Sequence, residues 1–444
     1  MLKNYLKLAI KVLGRRKFFT FISLFGISFT LTILMVTTSF LDTELGTKAP
    51  MTLKDDMLFL KQVSMQKMVP DTIAEVDSTN QGGMMVYDTT FTYDERNTST
   101  SNSSPSYPFL DKYMREIPHV QDYSFYSPGA LYDIFLNNNK LTLSGIHTDE
   151  RFWNIFDFNF LEGQAYRKQQ VDNAENVAII TAKTRDACFG EDVKAMGKEI
   201  VLDGRSYTVG GIIETPTNYR SFVMADVYVP ITTVPSEITY DDNYKGGFAA
   251  VFLGDSEEGR ELIRSEVDKK VSMIALPNPD DYNKMSVKTF SDLEDYAKNI
   301  YYKEDPKESI FILKWTLIGL LTLFVLLPTL NLINLNISRI MERSAEIGVR
   351  KSFGATSKDI LYQFVFENIV LTFIGGLIGF VIALLLINVI NSSQILEHST
   401  LTFNYKIFFI SLFICFVFGI LSGVIPAYRM SKLAIVNALK QIIK

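Results

Sequence analysis

Four long runs without a formally charged residue constrain this chain more than any other feature of its sequence. Each run exceeds the about 20 apolar residues that a helix needs to cross a bilayer core of about 30 Å. Each also has Lys or Arg close to one end, which a buried helix of a soluble protein would not require. The sequence therefore predicts four transmembrane helices, in the runs Phe18–Leu41, Trp315–Ser338, Asn368–Leu396 and Ile407–Tyr428.

The basic residues predict the orientation of these spans. The leader, the segment between the second and third runs and the C-terminal tail together hold fifteen basic and three acidic residues. Short segments rich in Lys and Arg stay on the cytoplasmic side of a membrane. Both termini are therefore predicted to be cytoplasmic, and an outer domain without a disulfide framework suits the inner membrane of a bacterium. The first run is predicted to be an uncleaved signal anchor, because no small-x-small cleavage site follows it.

The predicted fold class is an α-helical membrane protein with four transmembrane helices and a large α+β extracytoplasmic domain. The leader is interpreted equally well as an amphipathic helix on anionic lipid or as a charge cluster that only sets topology. The predicted segments are a cytoplasmic amphipathic helix at 1–17, TM helix 1 at 18–41, an extracytoplasmic domain with stalk helices at 42–309, TM helix 2 at 310–338, a cytoplasmic helical segment at 339–360, TM helix 3 at 361–391, a short extracytoplasmic loop at 392–406, TM helix 4 at 407–428 and a cytoplasmic tail at 429–444.

The predicted outer domain alternates short strands with tight turns. Strands are predicted at Val177–Ile180, Glu199–Leu202, Tyr207–Ile213 and Val227–Pro230. Asp203-Gly204 suits a two-residue hairpin turn because both residues tolerate positive φ. A helix is predicted at about 290–304, interrupted near Pro306. The Ser/Thr/Asn-rich stretch 96–108 is predicted to be a mobile loop.

The sequence shows no pattern typical of a catalytic or metal site. Cys188 and Cys415 are too few for a disulfide framework. The three scattered histidines, at positions 119, 147 and 398, have no zinc spacing and are interpreted as solvated surface residues. No GxxxxGK[ST] motif occurs, so no phosphate-binding loop of an ATPase is predicted in this chain. No cofactor, catalytic residue or nucleic-acid partner is expected in this chain.

The segment from Ser338 to Asn368 holds the most informative local signals. Glu342, Glu346 and Arg350 recur at i, i+4 and i+8, which predicts one charged helical face with an ion pair at its end. Phe353-Gly354 is expected to end that helix, with the glycine in the left-handed conformation. Thr356-x-x-Asp359 reads as a capping box that begins the next helix. The segment is either a loop that only sets topology or a coupling helix that docks on a soluble partner.

This segment resembles the signature of FtsX-like permeases of the MacB type. The family pattern is approximately ER-x-x-EIG-[IV]-RK-x-[LF]-GA-T-x-x-[DS]-I, and it is matched by Glu342, Arg343, Glu346, Ile347, Gly348, Arg350, Lys351, Gly354, Ala355, Thr356 and Ile360. The tail resembles the family's G-x-x-PA…AL ending but has Ala434-Ile435 where Asp-Pro is usual. The outer domain resembles the MacB-like periplasmic core domain, for example at Phe189-Gly190 and Leu202-Asp203-Gly204.

The resemblance implies the permease subunit of a type VII, MacB-like ABC transporter. Such permeases work by mechanotransmission, in which a separate ATPase subunit binds ATP and Mg and the outer domains move. The coupling residues implied are Glu342, Arg343, Glu346, Ile347, Gly348, Arg350, Lys351, Gly354 and Ala355. The implied partners are that ATP-binding subunit, a second permease subunit in a homo- or heterodimer, the lipid bilayer and, in some members, a periplasmic adaptor and an outer-membrane channel.

The family leaves the transported substrate open. The resemblance implies that an outer domain as large as this one suits efflux of a peptide or drug-like substrate or release of a lipoprotein better than FtsX-like signalling, and of these efflux is favoured. The alternatives are lipoprotein release of the LolC/LolE type and FtsX-like signalling to cell-wall enzymes without transport.

Small residues in the predicted spans suggest where helices pack or bend. Gly375-x-x-x-Gly379 and Gly419-x-x-x-Gly423 would permit close approach between helices. Pro328 removes one backbone donor from the second span and is expected to act as a hinge.

Overall fold

The computed structural model contains two compact units, which we call the helical unit (Met1–Gly46 with Phe311–Lys444) and the α/β unit (Thr47–Ile310). The structure describes residues 14–15, 17–81, 84–136, 139–191, 193–216, 223–234, 244–303, 305–342, 348–350, 352–393, 401–403, 405–406, 408–410, 412–414 and 416–417. Among these, the side chains of 71–81, 84–94, 136, 139, 325, 327–342 and 357 are not described.

The described helices are α1 (Lys17–Leu45), α2 (Tyr107–Tyr113), α3 (Phe152–Ile155), α4 (Lys168–Asp172), α5 (Ala182–Phe189), α6 (Glu257–Ser272), α7 (Asp292–Tyr301), α8 (Pro306–Glu342) and α9 (Ser357–Ser392). The described strands are β1 (Met57–Gln81), β2 (Met84–Pro105), β3 (Asp122–Leu136), β4 (Asn139–Thr148), β5 (Phe160–Gly163), β6 (Val177–Thr181), β7 (Glu199–Leu202), β8 (Arg205–Ile213), β9 (Val227–Pro230), β10 (Lys245–Gly246), β11 (Ala249–Leu253) and β12 (Lys284–Phe290).

One mixed sheet organises the α/β unit. Its strands lie in the order β10-β2-β1-β11-β3-β4-β9-β6-β8-β5, while β12 pairs with β1 and β7 pairs with β8. Most pairs are antiparallel, and the pairs β4/β9 and β6/β8 are parallel. The strands predicted around 177–180, 199–202, 207–213 and 227–230 are confirmed as β6, β7, β8 and β9.

The β7–β8 hairpin forms as its turn residues predict. Leu202 pairs with Arg205, which leaves Asp203 and Gly204 as the two-residue loop. Both residues have positive φ, 48° and 78°. That geometry matches the right-handed twist of the flanking strands, which explains why a short Asp-Gly loop suffices here.

The prediction of a mobile loop at 96–108 is wrong. Residues 96–105 continue β2, and they pair antiparallel with β1, for example Thr100 with Gln66 and Ser103 with Val63. Ser106 then caps α2 by accepting a hydrogen bond from the backbone N–H of Phe109. The preference of a residue for a strand depends on its cross-strand neighbours, so a polar composition alone does not exclude a strand.

Aromatic packing fills the main core of the α/β unit. The Trp153 ring lies 5.3 Å from the ring of Tyr228 and 5.4 Å from that of Phe158. Phe152 and Phe156 are fully buried beside them, with ring centroids 4.5 Å apart. Burying one such side chain contributes about 1.5–3 kcal/mol, so this cluster holds the centre of the sheet without disulfide bonds.

Helix α7 is fixed to the α/β unit by its cap and by charged contacts. Ser291 and Glu294 form a reciprocal capping box at its start, which confirms the helix predicted at about 290–304. The helix ends at Tyr301 and α8 begins at Pro306, as the predicted interruption requires. Three ion pairs join α7 to its neighbours: Lys54–Asp292 at 3.8 Å, Lys61–Asp295 at 2.8 Å and Arg264–Glu294 at 2.7 Å.

Two of the four predicted spans meet the length and composition expected of a membrane helix among the described residues: Lys17–Leu45 and Lys358–Ser392. Helix α8 extends beyond both ends of the predicted 310–338 span. Most of the predicted fourth span, at 407–428, lies outside the described residues, as do residues 1–13 and 16 of the predicted leader helix and the tail 429–444.

The prediction that all three histidines are solvated surface residues is wrong for His147. Its Nε2 atom lies 3.0 Å from the hydroxyl oxygen of Tyr132, and burial lowers the pKa of its imidazole to about 4. His119 is exposed, and His398 lies outside the described residues. A neutral imidazole packed against a tyrosine is a structural element of the core between β3/β4 and β7/β8.

We expect the stability of the chain to fall as the pH is lowered from about 6.5 to about 4. In that window the unfolded His147 takes up a proton, while the folded one, with its pKa near 4, stays neutral. Protonation of the unfolded chain should therefore remove up to about 3 kcal/mol at pH 4. Thermal unfolding in detergent at several pH values should show this loss in the wild type and less of it in His147→Gln. Parallel pH profiles for the two proteins would contradict it.

Candidate functional site

The first helix of the site ends at a glycine in the left-handed region. Residues 348–350 and 352 are helical, and the backbone N–H of Phe353 donates to the carbonyl of Val349 at 3.1 Å. Gly354 has φ 93°, and the N–H of Ala355 returns to the carbonyl of Arg350 at 3.0 Å. Glycine adopts this conformation without a Cβ penalty, so the predicted helix end at Phe353-Gly354 is confirmed.

Helix α9 begins with the predicted capping box. The Thr356 hydroxyl accepts from the N–H of Asp359 at 3.3 Å, and the Asp359 carboxylate accepts from the N–H of Thr356 at 3.0 Å. The hydroxyl also donates to the same carboxylate at 2.5 Å, and these contacts lower the pKa of Asp359. The carboxylate also lies in the first turn of the helix, where the helix dipole favours a negative charge. The break between the two helices is therefore a defined turn, which we call the 348–356 turn.

Apolar side chains are exposed at this turn. Phe353 is 89% exposed and Val349 is 48% exposed, while Ile360, one turn into α9, is buried. Exposed apolar residues that are grouped and surrounded by polar ones are typical of interaction sites. The 348–356 turn thus presents a small apolar tip with a polar base.

The polar base contains two residues that the sequence analysis missed. The guanidinium of Arg350 donates from Nη1 to Oε1 of Gln363, and Nε2 of Gln363 donates to Oε1 of Glu367 at 3.0 Å. Gln363 is 9% exposed and Glu367 is 2% exposed. The i, i+4 spacing of Gln363 and Glu367 at the border of an apolar run was the available signal.

Several predicted coupling residues lie outside this description. Glu342 is the last residue of α8, but its side chain is not described. Arg343, Glu346, Ile347 and Lys351 lie outside the described residues. The ion pair predicted for Glu346 and Arg350 therefore stays a prediction. Gly348 is buried, and its carbonyl accepts a hydrogen bond from the Ser352 hydroxyl at 3.0 Å.

Helix α9 continues from the turn and packs closely against α1. A Cβ atom added at Gly375 would lie 2.7 Å from Cγ2 of Ile27, and one added at Gly379 would lie 2.8 Å from the carbonyl oxygen of Ser28. The Thr32 hydroxyl adds a polar contact, 3.1 Å from the carbonyl oxygen of Gly379. Small residues permit this approach because no side chain separates the two backbones.

The other predicted packing and hinge residues are less fully described. Gly419 and Gly423 lie outside the described residues. The backbone of Pro328 lies within α8, and its side chain is not described, so its role as a hinge stays a prediction.

Within the part of the chain that the structure describes, no group of three or more His, Cys, Asp and Glu side chains could hold a metal ion. The α/β unit contains a cleft of about 490 Å³ lined by β3, the end of α5 and β7, including Phe135, Phe189 and Val201. Its size is in the range of small-ligand pockets. The cleft has mixed apolar and acidic walls, and Asp133 on its rim is bound to Lys140 at 2.8 Å.

Comparison with known families assigns both units. Residues 20–269 match the family model of the MacB-like periplasmic core domain, and residues 318–435 match that of the FtsX-like permease C-terminal region.

Two relatives show how much of the chain is shared. The macrolide export ATP-binding/permease protein MacB of Pasteurella multocida is 22% identical over 304 residues, which cover 68% of this chain and 44% of that protein. The ABC transporter permease YvrN of Bacillus subtilis is 25% identical over 340 residues, covering 74% of this chain and 78% of that protein. The chain thus spans less than half of the length of the Pasteurella relative.

Among solved structures, the periplasmic region of MacB from Actinobacillus actinomycetemcomitans is similar to this chain, with a TM-score of 0.36 and 12% sequence identity. The match covers 57% of this chain and 95% of that one.

We expect Gly379→Ala to destabilise the helical unit. The new methyl group would overlap the Ser28 carbonyl of α1, and such overpacking costs about 1–3 kcal/mol. Gly26→Ala is the matched control, because a Cβ at Gly26 meets nothing within 4 Å. Thermal unfolding in detergent should show a lower midpoint for Gly379→Ala and no loss for Gly26→Ala. Equal midpoints for the two variants would contradict the close contact.

Proposed function

This chain belongs to the family of FtsX-like permeases with a MacB-like periplasmic core domain, and we propose that it couples ATP hydrolysis in a separate subunit to movement of its extracytoplasmic α/β unit. In this proposal the chain is the membrane subunit of an ABC transporter. ATP and Mg are bound by the partner subunit. A second permease subunit completes the membrane part.

The exposed apolar tip of the 348–356 turn is the observation that carries the proposal. A loop that only set topology would need basic residues but no exposed phenylalanine. Phe353 and Val349 instead offer apolar area at a helix end, which is the geometry of an anchor that fills a pocket on a partner protein. The ATP-binding subunit is the partner that an ABC permease requires.

The charge pattern supports placing this turn in the cytoplasm, where ATP is available. The turn lies in one of the three Lys/Arg-rich segments of the chain, and such segments stay on the cytoplasmic side. The α/β unit then lies on the opposite side, beyond α1 along the chain. In this arrangement both chain termini are cytoplasmic and the membrane is the bacterial inner membrane.

The packing in the helical unit supports transmission of movement away from the turn. Helix α9 begins at the turn, and at its glycines it packs closely against Ile27 and Ser28 of α1. Closely packed helices move together because an intervening gap would cost their van der Waals contacts and the hydrogen bond between the Thr32 hydroxyl and the Gly379 carbonyl. Movement of α9 would therefore displace α1, which is joined to the α/β unit at Gly46.

Efflux of a peptide or drug-like substrate is the form of activity that we propose. Two relatives are export proteins by name: the macrolide export protein MacB of Pasteurella multocida and the pyoverdine export ATP-binding/permease protein PvdT of Pseudomonas syringae, which is 24% identical over 292 residues. Both names support export. The cleft between β3 and β7 is a candidate site for such a ligand. Stimulation of ATP hydrolysis by a substrate would support transport, whereas dependence on a cell-wall enzyme or release of a lipoprotein would replace efflux by one of the alternative activities.

We expect Phe353→Asp to remove the ATP-binding subunit from the purified complex. A charged side chain would not enter an apolar pocket, and the loss of a buried aromatic anchor costs about 2–4 kcal/mol of binding free energy. Native membranes would be solubilised gently, the tagged chain purified, and the bound proteins identified and assayed for ATP hydrolysis.

Phe135→Asp is the matched control for that experiment. Phe135 is also exposed, at 75%, but it lies on β3 of the α/β unit. The control should retain the ATP-binding subunit. If no ATPase accompanies the wild type, even after cross-linking, the proposed function is wrong. If Phe353→Asp retains it fully, the turn is not the docking site.

A further inference from the structure

A chain of polar side chains, half-buried at Arg350 and buried in α9, connects the 348–356 turn to the interior of α9. Arg350 of the turn donates to Gln363, and Gln363 donates to Glu367. Both α9 residues are almost fully buried, and Glu367 borders the apolar run that begins at Asn368. A buried carboxylate is costly to retain unless its oxygens are hydrogen-bonded, so its presence here indicates a role other than packing.

Arg350 is held at both its backbone and its side chain. Its carbonyl accepts hydrogen bonds from the N–H groups of Phe353 at 3.2 Å and Ala355 at 3.0 Å, which closes the turn. Its guanidinium reaches across to Gln363 on the next helix. The backbone hydrogen bonds close the turn, and the side-chain contact adds a second constraint on the angle between the helix that ends at Phe353 and α9.

We propose that Gln363 and Glu367 are positioning residues that hold Arg350, and thereby the exposed Phe353 and Val349, in a fixed orientation to α9. This inference rests on the proposed docking of the ATP-binding subunit at the turn. Glu367 orients the amide of Gln363, so that the amide oxygen faces the guanidinium and its nitrogen faces the carboxylate. A side-chain amide has a carbonyl oxygen that accepts hydrogen bonds and an NH2 group that donates them. Glutamine is therefore suited to bridge a cation and a carboxylate.

The arrangement explains why an uncharged residue stands between two charged ones. A direct ion pair would bring the guanidinium to the depth of Glu367, while the intervening amide leaves Arg350 at the turn. Hydrogen bonds to charged groups are worth more than those between neutral groups. The tip is then ordered before a partner binds, and movement imposed on Phe353 passes to α9 rather than being absorbed at Gly354.

The test measures the mobility of the turn and the binding of the partner separately. A nitroxide label is placed at Ser352→Cys, in a chain whose two native cysteines are replaced by serine. Its spectrum is recorded in lipid nanodiscs without any ATPase. Affinity for the co-purified ATP-binding subunit is then measured by titration.

Glu367→Leu and Gln363→Leu should each mobilise the label and weaken binding roughly tenfold, as expected for the loss of a hydrogen bond to a charged group. The two losses should not add in the double variant, because both remove the same contact to Arg350. Glu367→Gln keeps an acceptor for Gln363 and should lose clearly less than Glu367→Leu, because a neutral hydrogen bond replaces the one to a carboxylate. Asn388→Leu, an exposed polar-to-leucine change on the same helix, is the matched control and should have no effect.

Arg350→Gln tests the same contact without changing the buried surface of α9. It should mobilise the label as Glu367→Leu does, even if the α9 variants fold poorly. An immobile label in Arg350→Gln and in the leucine variants would overturn the inference. So would additive losses, or a Glu367→Gln variant as impaired as Glu367→Leu.

Failure of the proposed function gives a different result. If the wild type binds no ATPase but the label is mobilised as described, the positioning role stands and the docking proposal falls.

Discussion

The close approach of α1 and α9 is the interaction on which the helical unit depends. At Gly375 and Gly379 the backbone of α9 comes so near to Ile27 and Ser28 that a single added methyl group would overlap them. In a bilayer the hydrophobic effect does not drive helices together, so close packing and hydrogen bonds such as that of Thr32 must supply the attraction. Side chains of α1 and α9 form one buried cluster around this contact, including Leu31, Met35 and Leu371.

The 348–356 turn is attached to α9, whose position is fixed by its packing against α1. Its two ends are closed by local hydrogen bonds, a left-handed glycine on one side and a capping box on the other. Neither end specifies an angle between the two helices by itself. The Arg350–Gln363–Glu367 chain adds a contact across the turn, so the apolar tip at Phe353 and the packed helix α9 belong to one continuous hydrogen-bonded structure.

Features encoded over a few residues could be predicted from the sequence. The Asp203-Gly204 hairpin, the capping box at Thr356 and the helix end at Gly354 each depend on residues within four positions of one another. The structure contains all of them.

Features that depend on distant partners were missed, for one physical reason. Residues 96–105 of β2 are polar, and their composition predicts a loop. They form a strand because they pair with β1. The sequence around His147 predicts a surface residue, but in the fold its imidazole packs against Tyr132. Arg350 and Gln363 are thirteen residues apart across a helix break, so no helical periodicity relates them. At such positions the secondary structure and burial of a residue are determined by tertiary contacts, and local propensity does not predict them.

Hydrogen exchange of the α/β unit with the ATP-binding subunit bound tests the central claim most directly. The complex in nanodiscs would be exchanged with and without ATP and Mg, and amide protection would be followed along α7, Asp292–Tyr301, and the strands it contacts. We propose that ATP hydrolysis in the cytoplasm moves the α/β unit across the membrane. ATP should therefore change the protection of amides in the α/β unit. Identical exchange in the α/β unit with and without ATP, while the bound subunit is hydrolysing it, would contradict the account.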